Sequence, residues 1–217
     1  MLYESRIYYT VPGRLPAIND RFAKYTMDFF RQYDIGMLGF WNDEIGVSNR
    51  LTYILSFDSM ADREKKWTAF QADPGWHKVR TETEASGPIV AHVVNAFMRL
   101  TPYSPAPKIS SNLQELRIYD AVPGKIQAVH DRFAHHTIKL FEKHGMENVA
   151  YWTEDVGTSN RLVYMLGYPD LGAREKSWTA FAADPEWQKA RTESEKDGAL
   201  VRVSQHCILR RTGYSPR

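Results

Sequence analysis

The chain has 217 residues, with 28 basic and 26 acidic side chains for a net charge of +2, and 43% of its residues are hydrophobic. Acids and bases are mixed along its length, which argues against a nucleic-acid surface. No apolar run nears the roughly 20 residues of a membrane span, and Met1-Leu2-Tyr3-Glu4 lacks the features of a secretory signal, so a soluble, cytoplasmic protein without a membrane span is expected.

The first segment, Leu2 to Thr10, alternates and is rich in β-formers, which predicts a strand ended by Pro12-Gly13. A helical period follows in Leu15, Ile18, Phe22, Tyr25 and Phe29. Met37 to Asp43 and Arg50 to Phe57 predict a hairpin, turned through a stretch whose glycine and asparagine accept positive φ. Ser59 with Asp62 marks the start of a helix carrying Trp67 and Phe70, and Asp73-Pro74 reads as the cap and first turn of a short further helix. A last strand spans about Ile89 to Arg99 and leads into the proline-rich Thr101 to Pro107.

The whole series then recurs, residue n answering residue n + 111. Glu4, Arg6 and Tyr8 return as Glu115, Arg117 and Tyr119; Ser48-Asn49-Arg50-Leu51 returns as Ser159-Asn160-Arg161-Leu162; Tyr103-Ser104-Pro105 returns as Tyr214-Ser215-Pro216. A period this long is a domain rather than a solenoid unit. The expected organisation is a first domain over 1–104, a linker over 105–112 and a second domain over 113–217. Each has the order β-α-β-β-α-β of a ferredoxin-like α+β fold, with helices on one face of an antiparallel sheet. The uncovered face needs a partner, and the second repeat is available on a short tether, so the two repeats are expected to form an intrachain dimeric α+β barrel.

The stretches Glu4-Ser5-Arg6-Ile7-Tyr8 with Val11-Pro12-Gly13, Gly39-Phe40-Trp41 with Glu44-Ile45-Gly46, and Ala72-Asp73-Pro74-Gly75-Trp76, with their counterparts in the second half, resemble the NIPSNAP family of the dimeric α+β barrel superfamily. The resemblance covers almost all of each repeat. It implies the fold but no one reaction, because that superfamily includes cofactor-free monooxygenases, isomerases, dehydratases and haem enzymes.

If Ile7 and Ile118 face the helices, then Glu4, Arg6 and Tyr8 with Glu115, Arg117 and Tyr119 point away from them, between the two sheets. Such a row has two readings: a self-satisfying ion pair that fixes the fold, or guanidiniums that anchor a carboxylate or enolate while the tyrosine hydroxyls orient it. On the last strands the repeats diverge, with Asn95 facing the same side as the row in the first and His206 in the second; an imidazole there suits general acid–base work near neutral pH. Trp41 and Trp152, and Tyr53 and Tyr164, are candidate pocket walls and hydroxyls. His130, His135, His136 and His144 do not read as a metal site, since His136 and His144 would lie about 12 Å apart along a helix. They read as packing residues. Cys207, the single cysteine, reads as a buried thiol.

The leading expectation is a cofactor-independent acid–base enzyme, without metal, acting on a small aromatic or unsaturated acid or carbonyl compound. In it His206 moves the proton, Tyr8 and Tyr119 act with it, and Arg6, Arg117, Glu4, Glu115, Trp41, Trp152, Tyr53, Tyr164 and Asn95 bind the substrate. The alternative is a non-catalytic ligand-binding or protein-interaction protein. A small-molecule ligand is expected in both, and a homo-oligomer through remaining edges.

Overall fold

A computed structural model describes residues 1–216, which form two compact units: residues 1–99 with 211–216, and residues 100–210. The first unit contains β1 (Leu2–Thr10), α1 (Leu15–Arg21), a π-helical turn (Phe22–Thr26), α2 (Met27–Gln32), β2 (Gly36–Ile45), β3 (Arg50–Phe57), α3 (Met60–Ala72), α4 (Pro74–Thr83) and β4 (Val90–Leu100). The second repeats the series as β5 (Leu113–Ala121), α5 (Ile126–Arg132), a π-helical turn (Phe133–Thr137), α6 (Ile138–Lys143), β6 (Glu147–Val156), β7 (Arg161–Tyr168), α7 (Leu171–Ala183), α8 (Pro185–Ser194) and β8 (Val201–Arg211). Each repeat therefore has the expected α+β order.

Local chemistry accounts for the boundaries. The Asp73 and Asp184 side chains accept from the first backbone amides of α4 and α8, and a proline fills the first turn of each, where its missing N–H costs nothing. Asn49 and Asn160 sit at φ 57° and 58°, the left-handed conformation that the two hairpin turns require. In each π-helical turn a threonine hydroxyl donates to the carbonyl five residues back, Thr26 to Arg21 and Thr137 to Arg132, both at 3.2 Å. The last residues of α1 and α5, Arg21 and Arg132, directly precede these turns and are buried.

In the first unit β3 pairs with both β1 and β2, and β1 also pairs with β4, all antiparallel; in the second, β7 pairs with β5 and β6, and β5 with β8. Arg6 thus lies across from Tyr53 on one side and Asn95 on the other, as Arg117 lies across from Tyr164 and His206. The helices pack over one face of each sheet, and the aromatic cores lie there. Phe22, Phe30, Phe40, Tyr53 and Phe70 are buried in the first unit, and Phe133, Phe141, Tyr151, Tyr164 and Phe181 in the second.

The opening strands face the opposite way from the expectation. Glu4, Arg6 and Tyr8 point toward the helices, not away from them, for Glu4 is bound by Arg63 of α3 and the Tyr8 ring meets Phe22 edge-on at 6.1 Å. The second repeat does the same through Arg174 of α7 and Phe133. Ile7 pairs across to Thr52, which pairs to Trp41, so these side chains share the opposite face; Ile118, Val163 and Trp152 share the corresponding face in the second unit. The reason is compensation: a carboxylate under helices is tolerated when two guanidiniums meet it.

The compact units run differently from the repeats at their ends. The segment after β4 belongs to the second unit, where the Thr101 amide donates to the Tyr151 carbonyl at 2.9 Å and the Ser104 hydroxyl accepts from the Tyr151 amide at 2.9 Å. The segment after β8 belongs to the first unit, with Thr212 and Ser215 making the same two bonds to Phe40.

Candidate functional site

Each unit holds a cluster built on its buried glutamate, which is fully shielded from solvent in both. Glu4 accepts from Arg6 at 2.5 Å, from Arg63 through Nε at 2.9 Å and Nη2 at 3.1 Å, and from Asn95 at 3.2 Å. Glu115 accepts from Arg117 at 2.6 Å, from both arms of Arg174 at 2.9 Å, from the Trp178 indole at 3.0 Å and from the Tyr168 hydroxyl at 3.2 Å. Burial pushes the Glu115 carboxyl up, but Arg174 and Arg117 outweigh it and hold the group below its ordinary range. Charge-assisted bonds from several donors leave such a carboxylate no freedom to shuttle a proton.

The arginines are engaged on their other sides. Arg6 Nε donates to the Tyr53 hydroxyl and Arg117 Nε to the Tyr164 hydroxyl, each at 2.8 Å, while the second guanidinium arms reach Tyr8 at 3.5 Å and Tyr119 at 3.2 Å. Burial works against the charge of Arg117, yet the Tyr164 and Tyr119 oxygens and Glu115 more than offset it, so its pKa lies above the usual value; Arg6 behaves alike with Tyr53, Tyr8 and Glu4. Burial also drives the Tyr53 and Tyr164 hydroxyls far above the ordinary phenol range. The guanidinium carbons stand 4.3 Å and 4.4 Å from the ring centres of Trp67 and Trp178, a cation–π geometry.

Beside each cluster lies a cavity between helices and sheet. In the second unit it measures about 440 Å³ and is walled by Phe133, Phe141, Trp178, Phe181 and Trp187, with Tyr119, Arg132, Arg191, Glu195, Arg202 and Ser204 among its polar lining. In the first it measures about 320 Å³ and is lined by the equivalent Tyr8, Arg21, Trp67, Trp76, Arg80 and Glu84, together with Arg6, Gln71 and Val93. Three arginines face one glutamate in each, so both cavities favour negative charge. Arg132 is 5% exposed, bonds Glu195 through Nη1 at 2.8 Å and lies 5.4 Å from the Trp187 ring centre, yet its buried Nε–H has no hydrogen-bond partner among the described residues. Arg21 has the same pattern with Glu84 and Trp76. An unpaired buried donor costs about 1–3 kcal/mol.

The predicted residues divide into three groups. Glu4, Arg6, Tyr8, Tyr53 and Asn95 come together in the first unit, and Glu115, Arg117, Tyr119, Tyr164 and His206 in the second. Of these Arg6, Tyr8 and Tyr119 reach a cavity wall. His206 is solvent-exposed, two residues beyond Ser204 on the same face of β8, and is not part of the cavity lining. Burial, followed by the charges of Arg117 and Arg174 and opposed by Glu115, lowers its pKa below 6.5. Trp41 and Trp152, both fully buried, lie on the opposite sheet face and do not join the site.

Two of the four histidines of the second repeat have packing partners: His130 meets the Tyr103 hydroxyl at 2.7 Å, and His144 meets the Asp184 cap at 2.7 Å, where Tyr33 meets Asp73 in the first repeat. Among the described residues no cluster of histidine, cysteine and acidic side chains has the arrangement of a metal site. The sequence reading missed Arg21 and Arg132, Arg63 and Arg174, and Glu84 and Glu195. Their signal was present in the exact recurrence of Asp20-Arg21-Phe22-Ala23 as Asp131-Arg132-Phe133-Ala134.

No helix among the described residues is long and apolar enough to cross a membrane. No curated protein matches the chain. Among solved structures, a putative monooxygenase from Fusobacterium nucleatum is 11% identical over 97% of this chain and 91% of its own, with a TM-score of 0.62. A putative monooxygenase from Lactobacillus acidophilus is 11% identical over 97% and 93%, with a TM-score of 0.58. At that identity the likeness concerns the fold alone. An uncharacterized NIPSNAP-like domain protein from Burkholderia xenovorans is 28% identical over 48% of this chain and 89% of its own, with a TM-score of 0.44. The NIPSNAP family model matches twice, over residues 3–105 and 114–216, and the chain therefore belongs to the NIPSNAP family as a tandem duplication with the α+β fold of the dimeric α+β barrel class.

Proposed function

We propose that this protein binds a small, planar, aromatic anion in its helix–sheet cavity. The carrying observation is the conjunction, at equivalent positions of both units, of paired indoles with a buried arginine whose Nε–H is unspent. Cavities of a few hundred Å³ with apolar walls and a few convergent polar groups are the usual form of small-ligand sites. The Tyr119 hydroxyl accepts from Arg117, which leaves its own proton for an oxyanion in the cavity. The Glu–Arg cluster beneath acts as a rigid positively charged floor, two arginines to one carboxylate, rather than as a proton relay.

The test is a thermal-shift and calorimetric comparison of aromatic carboxylates with their neutral amides. Carboxylates should raise the melting temperature and amides should not, and Ala182→Trp, which fills the cavity from the exposed end of α7, should abolish the shift. Equal behaviour of acid and amide, or full binding in the filled variant, removes the reading.

One observation favours a second, catalytic reading, the cofactor-independent acid–base enzyme. His206 lies across from Arg117 beside the same cluster, with its pKa lowered from 6.5 by partial burial and by that charge, so a ligand extending from Ser204 along β8 would meet an imidazole suited to act as a general base. Turnover of a bound acid that His206→Ala abolishes while affinity is retained would establish it; a ligand recovered unchanged with either protein would leave binding alone.

A further inference from the structure

The inference rests on the cavity reading above and deepens it. We propose that the two cavities have divided their work: the second unit takes the aromatic carboxylate, with Arg202 and Ser204 of β8 as its anion-recognising wall, and the first is closed to it. On the helical sides Arg21, Trp67, Trp76, Arg80 and Glu84 recur as Arg132, Trp178, Trp187, Arg191 and Glu195, while Phe133, Phe141 and Phe181, with Thr137, add an aromatic wall to the second cavity alone. The strand sides differ. Where β8 presents Arg202 and Ser204, β4 has Ala91 and Val93, and only Val90 and Val93 of β4 line the first cavity.

Three physical consequences follow from these substitutions. Arg202 lines the cavity and makes no ion pair among the described residues, so its charge is available, whereas Arg191 is committed to Glu195 at 3.3 Å. Ser204 lies across from Tyr119 in the sheet, which sets two hydroxyls on one face beside that charge. A guanidinium flanked by hydroxyl donors suits the planar fork of a carboxylate, and the indole and phenyl walls suit the ring attached to it. In the first cavity Gln71 replaces Ala182 and Val93 replaces Ser204, and the volume is about 320 Å³ against about 440 Å³. A larger side chain and a hydrophobic one thus stand where the second unit has room and a donor. The register shift between Asp120 and Ala121 on the partner strand β5 helps present this stretch, since Val201, Arg202 and Ser204 all reach the cavity despite strand alternation.

The experiment uses the full chain labelled with 5-fluorotryptophan, with resonances assigned by single Trp→Phe variants and 1-naphthoate and 1-naphthamide as probes. Naphthoate should shift Trp178 and Trp187 and leave Trp67 and Trp76 unmoved, with one binding event per chain. Arg202→Ala should weaken naphthoate at least tenfold while changing naphthamide less than twofold. Transplanting the wall, as Gln71→Ala with Ala91→Arg and Val93→Ser, should add a second event seen at Trp67 and Trp76. Equal shifts at all four indoles would overturn the division of work while leaving the cavity reading intact; silence at all four would remove both. A single event in the transplanted chain, or unchanged affinity in Arg202→Ala, would overturn the assignment to these positions.

Discussion

The two units solve one electrostatic problem with different neighbours. Both bury a glutamate against two arginines, but the first completes the shell with Asn95 from the end strand, whereas the second uses Tyr168 and the Trp178 indole, and His206 at the position of Asn95 makes no hydrogen bond among the described residues. Phe57 stands where Tyr168 does, so the hydroxyl has no counterpart in the first unit. Both units hold the buried ion cluster, and they differ on the end strand. With Tyr168 and Trp178 completing the Glu115 shell, β8 carries a histidine, a serine and an arginine where β4 has Asn95, Val93 and Ala91.

The comparison breaks most readily at the acids. Glu115→Gln and Glu4→Gln should each cost about 3–5 kcal/mol, because removing one partner strands buried guanidiniums facing each other. Chemical denaturation should show the larger loss for Glu115→Gln, which disturbs one more donor; an equal or smaller loss would mean that the extra aromatic shell contributes nothing. The same group sets an acid limb. Since the folded Glu115 carboxyl titrates below its usual 4.5, its contribution is complete above about 4.5 and is lost as pH falls through the lower folded value. Melting curves of Glu115→Gln should therefore be flatter than those of the parent across that acidic window.

Smaller changes sharpen the contrast. Tyr168→Phe converts the second shell toward the first and should cost about 1 kcal/mol, the net worth of a buried hydrogen bond, while leaving the fold intact by near-ultraviolet circular dichroism. His206→Asn, read the same way, should change stability least. Its parent imidazole, facing Arg117 and Glu115 of β5 and Arg174 of α7, titrates below 6.5 in the folded state, so stability is complete above about 6.5 and declines as pH falls through the lower folded value. The asparagine variant should lack that slope below about pH 6.5, and an unchanged slope would place its origin elsewhere.

Much of the architecture was legible because duplication states each pattern twice. Strand alternation, the proline breaks and the Asp-Pro helix starts gave the ferredoxin-like order, and Asn49 and Asn160 take the positive φ expected of their turns. Alternation also grouped Glu4, Arg6, Tyr8 and Asn95 correctly on one face. It could not say which face meets the helices, because Ile7 looks more core-like than Arg6 until Arg63, 59 residues beyond Glu4, is known to reach back. The cavity was illegible for a related reason: Arg21 and Arg132 fall outside the apolar period of their helices, and the π-helical turn that follows each of them is a backbone choice that periodicity does not reveal. Trp41 and Trp152 were drawn toward the site by their type, whereas the register turns them to the other side.

The traded end segments carry a practical lesson for anyone dissecting this molecule. A fragment stopped at residue 104 would keep a tail that completes the other unit and forfeit the one that completes its own, leaving the Phe40 amide and carbonyl without Ser215 and Thr212. Severing the gene at its obvious midpoint would thus yield two halves each missing a closing clasp, although every strand and helix of the repeat were present. The inheritable module and the foldable module of this chain are different lengths of polypeptide.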